Sequence, residues 1–566
     1  MKRLLAEALA LAVLVVVSLA AVRGHQKDDS ATADEGIHLF AGAEYVENGT
    51  YWMNLEHPPL TKDLAGLSLR SLGLDPPAEG DSRERTPHND YARYLYLNRA
   101  PAHVMLQAAR KFFPVMLGLL VVLVWASARA LAGPWAGFLA AGLIALDPTF
   151  VAHAGIVHAD VGAALTMTAS VVLVLAAAKR DSFVLWIASG LALGIALATK
   201  FSAILLVPLY ALVPLLALLA EGERRTLRSA ARKALGAVAA AAVALGLVAA
   251  IYAANLRAMP SGKATESVER FLQGRGAPPD VVGRYARLSR AVPSLGHWAA
   301  GLKGVMLLST GERENVNYFH GQTSRHGFLA YFPVAFAVKS TPAFLFVLVA
   351  MLALGRRDLA SYAVGGLLLA SILYFAVAVP SAFNIGVRHL LPIYPLLAVA
   401  GASVLARRIP PRPFAALSIA LVLSTGASLA SVHPLELGYF NLALGGPERG
   451  AAWFVDSNVD WGQDMKRLGD YLRDTGTESR TTVVAYSGFA TNYYSRSCRV
   501  LDPSSPIGPG LYAISDSMQA IGPDFFVGLE GKASADQLRD LLARLGARGR
   551  RVARVGASIT IWELPG

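Results

Sequence analysis

Residues 153–180 read HAGIVHADVGAALTMTASVVLVLAAAKR, and their reading decides the fold class. The apolar part, 159–178, has the length of about 20 residues that crosses a hydrocarbon layer roughly 30 Å thick. It opens at an acid, Asp160, behind two histidines, and closes on Lys179-Arg180. Further apolar stretches lie at about 4–22, 113–131, 135–152, 183–199, 201–220, 234–254, 331–354, 360–379, 390–405 and 414–431, giving about eleven spans. The run 183–220 is too long for one crossing and divides at Ala198-Thr199-Lys200. The first stretch follows Lys2-Arg3 and is read as a retained anchor, although a cleaved signal peptide would leave the same topology.

With the N-terminus inside, Arg129, Lys179-Arg180, Arg224-Arg225-Arg228-Arg232-Lys233, Arg356-Arg357 and Arg407-Arg408-Arg412 all fall in cytoplasmic loops. The positive-inside rule is met. The charges are therefore topogenic, and the net +12 of this 566-residue chain does not point to nucleic acid. With 54% hydrophobic and 16% charged residues, it is also no simple soluble enzyme, for which about 25% charge is usual. A lone cysteine, Cys498, rules out an intramolecular disulfide. The expected protein is a multi-pass inner (plasma) membrane protein. Its polar segments, about 23–112, 255–330 and everything after 432, face outward. The tail 433–566 mixes strand-like runs (481–487, 510–515, 557–564) with helix-like ones (464–474, 534–546) and reads as a small α/β domain.

The outward segments carry the polar chemistry. Asp34-Glu35 opens DEGIHLFAGAEYVENGTYW (34–52). A carboxylate there suits a general base, and equally the acidic start of a helix. EHPPLTKD (56–63) sets Lys62 at a helix start behind two prolines, suiting either an anion or a stiff turn with a solvated lysine. In HAGIVHAD, Asp160 can cap a span, position an acceptor, or join His153 and His158 on a metal, although zinc needs more ligands than are evident. Lys200 and Arg388 break the charge rule by lying in outward turns. Either a lipid phosphate or snorkelling accounts for them. VNYFHGQTSRHGFLAYFPVAFAVKSTP (316–342) sets His320, Arg325 and His326 beside interfacial aromatics, with Lys339 inside the apolar run. In VDSNVDWGQD (455–464) a calcium loop fits poorly, because Trp461 and Arg467 stand where Gly and Glu are required. No GxxxxGK[ST], HExxH or GxSxG pattern supports ATP-driven transport, a protease or an esterase.

Taken in order, Asp34-Glu35, HPPLTK (57–62), Asp160, ATK (198–200), YFPVAFAVKSTP (331–342) and RHLLPIYP (388–395) resemble the GT-C membrane glycosyltransferases. Within them the chain looks like the protein O-mannosyltransferase and aminoarabinose transferase enzymes, the family 39-like, phospholipid-carrier-dependent group. The resemblance covers about residues 1–432, and VDSNVDWGQD recurs in the tails of some bacterial members. It implies an outward-facing site that moves a sugar, with inversion, from a polyprenyl-phosphate carrier to an acceptor hydroxyl on a glycan, lipid or protein. By resemblance Asp34 is the general base, Glu35 stands beside it and Asp160 assists the acceptor. Lys62, Lys200 and Arg388 match basic positions suited to the carrier phosphate. His57, His158, His320 and His389 complete the expected substrate-binding set. No cofactor is assigned, and a divalent metal stays open. The competing reading is a lipid-linked glycan transporter or flippase. That reading favours charges inside spans rather than in outward loops.

Overall fold

The structure, a computed structural model, describes residues 2–74, 87–221, 226–310, 316–485, 488–501, 506–529 and 531–566. Arg224, Arg225 and the last two residues of the 481–487 run lie outside the described residues. The chain is mostly helical, and every apolar stretch read from the sequence is helix. Six helices are long and apolar enough to cross a membrane: Leu4–Gln26, Ala102–Ala132, Asp160–Arg180, Phe201–Ala220, Leu227–Asn255 and Pro411–Ala430. Two bent pairs raise the number to eight, and Phe183–Thr199 and Tyr362–Ala378 are shorter apolar helices.

The breaks have local causes. Pro134–Ala145 and Pro148–Ala154 meet at 60°. There Asp147 caps the second helix by accepting from Thr149 and Phe150 N–H, ahead of a proline that suits a first turn. Lys200 is extended (φ −150°, ψ 134°), which separates the two helices of the 183–220 run at the expected place. The stretch 331–354 is not one straight span. Tyr331–Lys339 and Pro342–Leu354 bend by 112°, because Thr341 caps Phe344 and Pro342 starts the new helix. Lys339 ends the first of these helices, at the bend. Its ammonium is buried and donates to the carbonyls of Leu437 and Asn458, each at 2.8 Å.

Between the first and second long helices, Glu35–Asn48 crosses Leu60–Arg70 in backbone contact. A Cβ on Gly42 would stand 2.0 Å from the Lys62 carbonyl oxygen, and one on Gly66 2.1 Å from the Gly42 oxygen. Only glycine permits that approach. Beyond residue 430 the chain runs in short turns over the same end of the bundle, then builds a five-stranded sheet. Its order is Arg499–Val500, Thr481–Val484, Gly510–Ser515, Ile559–Leu564, Arg550–Val555, with the first three parallel and the rest antiparallel. Val484, Ile514, Leu538 and Leu541 form a core of its own, while Phe440, Phe454, Met465 and Leu468 join the core of the helices.

Candidate functional site

Asp34 occupies the N-cap position of Glu35–Asn48 but makes no side-chain cap bond. Its carboxylate turns instead to Arg388, whose Nη2 lies 3.3 Å from Oδ2, with His158 Nε2 at 3.8 Å. The Asp34 side chain is 39% exposed, whereas that of Arg388 is 3% exposed. An accessible acid thus stands against a buried guanidinium.

Glu35 faces the other way. Arg110 grips it through two bonds of 2.7 Å, and it accepts N–H groups from Val157 (2.9 Å) and Thr32 (3.2 Å). Arg110 also donates to the carbonyls of Asp29 and Ser30. Every lone pair has a partner, so Glu35 ties the Asp34 loop to the turn before Asp160. Arg110 was not singled out from sequence.

Asp160 begins the helix Asp160–Arg180 without capping it. Its oxygens lie 2.5 Å from Lys200 Nζ and 2.7 Å from His158 Nδ1, and Arg388 Nη1 stands 3.8 Å away. His158 Nδ1 faces Asp160, and Nε2 accepts from Arg388 Nη1 at 2.9 Å. Because a guanidinium can only donate, the contact at Nε2 fixes the neutral tautomer with its proton on Nδ1. Asp34, His158, Asp160, Lys200 and Arg388 are one network of two acids, two bases and a bridging imidazole. Such a set can take a proton at the open acid and stabilise a developing oxyanion at the cations.

Three imidazoles, of His38, His57 and His158, converge with ligand atoms within 4.8 Å of one another. Burial holds all three below the usual histidine range, and neighbouring imidazoles and cations add to this for His38 and His57. As placed they do not close on one ion. The His38 and His158 rings are stacked at 4.8 Å and 16°, so no ion can lie in both ring planes, and Arg388 occupies His158 Nε2. A zinc site needs in-plane nitrogens about 2.0–2.1 Å from the metal. The Asp160, His153 and His158 grouping fits no better: among the described residues these three do not converge as possible ligands, and the His158 nitrogens already face Asp160 and Arg388.

The other expected residues lie outside this charged network, although His57 touches it through the His158 ring. Lys62 is wholly buried, neither solvated nor aimed at the acids. Its Nζ donates to Tyr45 Oη and to the carbonyls of Asn54 and His57, with Asn54 Oδ1 at 3.2 Å. The rings of Tyr45 and Tyr51 face it at 4.9 and 5.2 Å. His57 meets His38 and His158 edge to face, at 4.7 and 5.3 Å. His389 points at Phe332 and Phe383, and its buried Nε2 has no hydrogen-bond partner among the described residues. His320 is on a hairpin (Asn317–Phe319, Gln322–Ser324), stacked on Trp453 at 4.0 Å. The tail adds what sequence reasoning did not assign. Trp461 lies under the Arg388 guanidinium at 4.1 Å, and Ser457 Oγ accepts from Arg388 Nε at 2.9 Å. The only signal was the VDSNVDWGQD motif itself. Its polar side chains point apart, Asn458 to Tyr331 and Asp460 to Ser517 N–H, and form no calcium loop.

Residues 102–249 match the family model for dolichyl-phosphate-mannose-protein mannosyltransferase. No curated protein sequence matches the chain. Among solved structures, the Archaeoglobus fulgidus oligosaccharyltransferase in its apo form aligns with a TM-score of 0.50 at 12% identity, covering 93% of this chain and 72% of that one. That is a likeness of fold. ArnT from Cupriavidus metallidurans bound to undecaprenyl phosphate aligns over 98% of both chains at 13% identity and a TM-score of 0.46. The Saccharomyces cerevisiae protein O-mannosyltransferase Pmt1–Pmt2 complex bound to the sugar donor aligns at 22% identity and a TM-score of 0.35, over 46% of this chain. This chain spans about a third (35%) of that yeast chain. Residues 102–249, about a quarter of the chain, are thus similar to one mannosyltransferase family, and the fold as a whole resembles that of the archaeal oligosaccharyltransferase.

Proposed function

We propose that the protein moves a sugar from a polyprenyl-phosphate carrier to an acceptor hydroxyl at the outer membrane surface, with inversion at the anomeric carbon. The observation that carries this is the pairing of the partly exposed Asp34 with the buried Arg388. Asp34 accepts the proton of the attacking hydroxyl. Arg388 and Lys200 stabilise the departing phosphate, which is already a good anion and needs no general acid. Asp160 and His158 hold those two cations in place and face the acceptor side. Glu35 is a positioning residue in this scheme, acting through Arg110. Lys62 fixes the turn at 54–57, and His320 and His389 flank the substrate path. The chain crosses the membrane about eleven times, with 1–432 as the transferase unit and 433–566 as an outward α/β part.

The test is sugar transfer by the full-length protein in nanodiscs, with a panel of polyprenyl-phosphate sugars, a membrane extract as acceptor source, and released polyprenyl phosphate as readout. Release by the wild type that falls by about a thousandfold in Asp34→Asn supports the assignment. Equal release by both removes Asp34 as the base, and no release from any donor turns weight to transport.

A further inference from the structure

Asp34 and Arg388 are 354 positions apart, and neither loop alone fixes the gap between them. One short tail segment touches both. On the Asp34 side, Ala33 N–H donates to the Trp461 carbonyl at 2.8 Å and Ser30 N–H to the Gln463 carbonyl at 2.9 Å. Ser30 Oγ adds bonds to the carbonyls of Gly462 and Gln463. On the Arg388 side, Asn458 Oδ1 accepts Val387 N–H at 3.0 Å, and Ser457 Oγ accepts Arg388 Nε while donating to the Ile385 carbonyl. Trp461 backs the guanidinium face and meets the His158 ring at 5.4 Å. Trp461, Ser457 and Asn458 are all buried, so the indole is not a platform for sugar. The fit is close enough that a Cβ on Gly386 would stand 2.1 Å from Ser457 Oγ.

We propose that residues 456–464 are a clamp that sets the separation of Asp34 and Arg388, with Trp461, Ser457 and Asn458 as positioning residues for the reaction. This rests on the roles given to Asp34 and Arg388 above. A guanidinium sandwiched on an indole and pinned at Nε has one orientation left, with Nη1 and Nη2 presented to His158 and Asp34. Without the clamp the arginine regains its rotamers and the two loops move independently.

Two readouts on the full chain in nanodiscs test this, one of which needs no substrate. Hydrogen–deuterium exchange of Trp461→Ala and Asn458→Ala should show protection lost together in residues 28–36 and 384–390. Strands Gly510–Ser515 and Ile559–Leu564 should keep theirs. With a polyprenyl-phosphate sugar, donor KM should rise about tenfold in Trp461→Ala with a smaller change in kcat, and return to within about twofold in Trp461→Phe, which keeps a ring face. If Trp461→Ala does not fold, Ser457→Ala, which removes one hydroxyl, is expected to raise donor KM in the same direction. Protection lost only within 456–464, or unchanged KM in both folded variants, overturns the clamp. A wild type that turns over no donor defeats the transferase reading, and the exchange result then decides the clamp alone.

Discussion

Removing Arg110 while leaving Glu35 strands a carboxylate whose side chain is 0% exposed. Cutting one partner from a buried ion pair costs about 3–5 kcal/mol. Two backbone N–H groups, of Val157 and Thr32, still point at Glu35 after Arg110→Leu. The cost therefore falls near the low end, about 3 kcal/mol. Glu35→Leu is the harsher change. It leaves the guanidinium with only the carbonyls of Asp29 and Ser30, and it orphans those two N–H groups at about 1–3 kcal/mol each, for a total near 5 kcal/mol or more.

The double variant removes both charges and leaves only orphaned backbone groups. It is expected to be more stable than Glu35→Leu alone, with a coupling energy of about 3 kcal/mol between the sites. Titration of the full-length protein in mixed micelles with a denaturing detergent, followed by tryptophan fluorescence, measures all four states. Single variants within about 1 kcal/mol of wild type, or a double variant equal to the sum of the singles, would refute the account of Glu35 as a buried tie.

Lys200→Met leaves Asp160 with His158 and Arg388 and takes a cation from the phosphate side; kcat/KM for the lipid donor is expected to fall about a hundredfold, and a value within threefold rules the role out. Burial holds His38 and His57 well below the free histidine value. Their stability contribution is therefore complete above about pH 6.5 and is lost as pH falls below it, by about 1.4 kcal/mol per pH unit for each histidine. Unfolding midpoints between pH 7.5 and 5.5 read this slope, and His38→Asn should reduce it; an identical slope in the variant would show that His38 protonates freely. Gly42→Ala forces a methyl against the Lys62 carbonyl and should cost about 1–3 kcal/mol in the same micelle titration. Gly66→Ala strains the same crossing, so the double variant should lose less than the sum of the two.

The helical, membrane-spanning character was plain in the sequence, because a hydrocarbon layer imposes both length and apolarity on whatever crosses it. Lys200 and Arg388 were equally legible as charges in the wrong place, and both lie in the central network. Other features had no local signature. Two adjacent carboxylates, Asp34 and Glu35, look alike in sequence yet point to different partners, since successive residues at a helix start diverge by about 100°. Lys62 read as a phosphate ligand or a solvated lysine, whereas its ammonium is enclosed, because oxygens from residues 45, 54 and 57 fold back around it. The contact of Trp461 with Arg388 was beyond reach. It depends on where a tail beyond the last span settles, and local periodicity carries no information about that.

The bend at Lys339 has a consequence for how the chain is made. Its ammonium is buried, and its hydrogen bonds go to carbonyls of residues 437 and 458. When the ribosome has delivered the helix hairpin around residue 340, those acceptors do not yet exist. A desolvated ammonium without partners is costly enough that the hairpin cannot settle as it does in the finished molecule. The bend therefore reaches its finished packing only once residues 437–458 are in place. A chain stopped at residue 432 should be retained by quality control or degraded, and maturation of the membrane part must wait for the last quarter of synthesis.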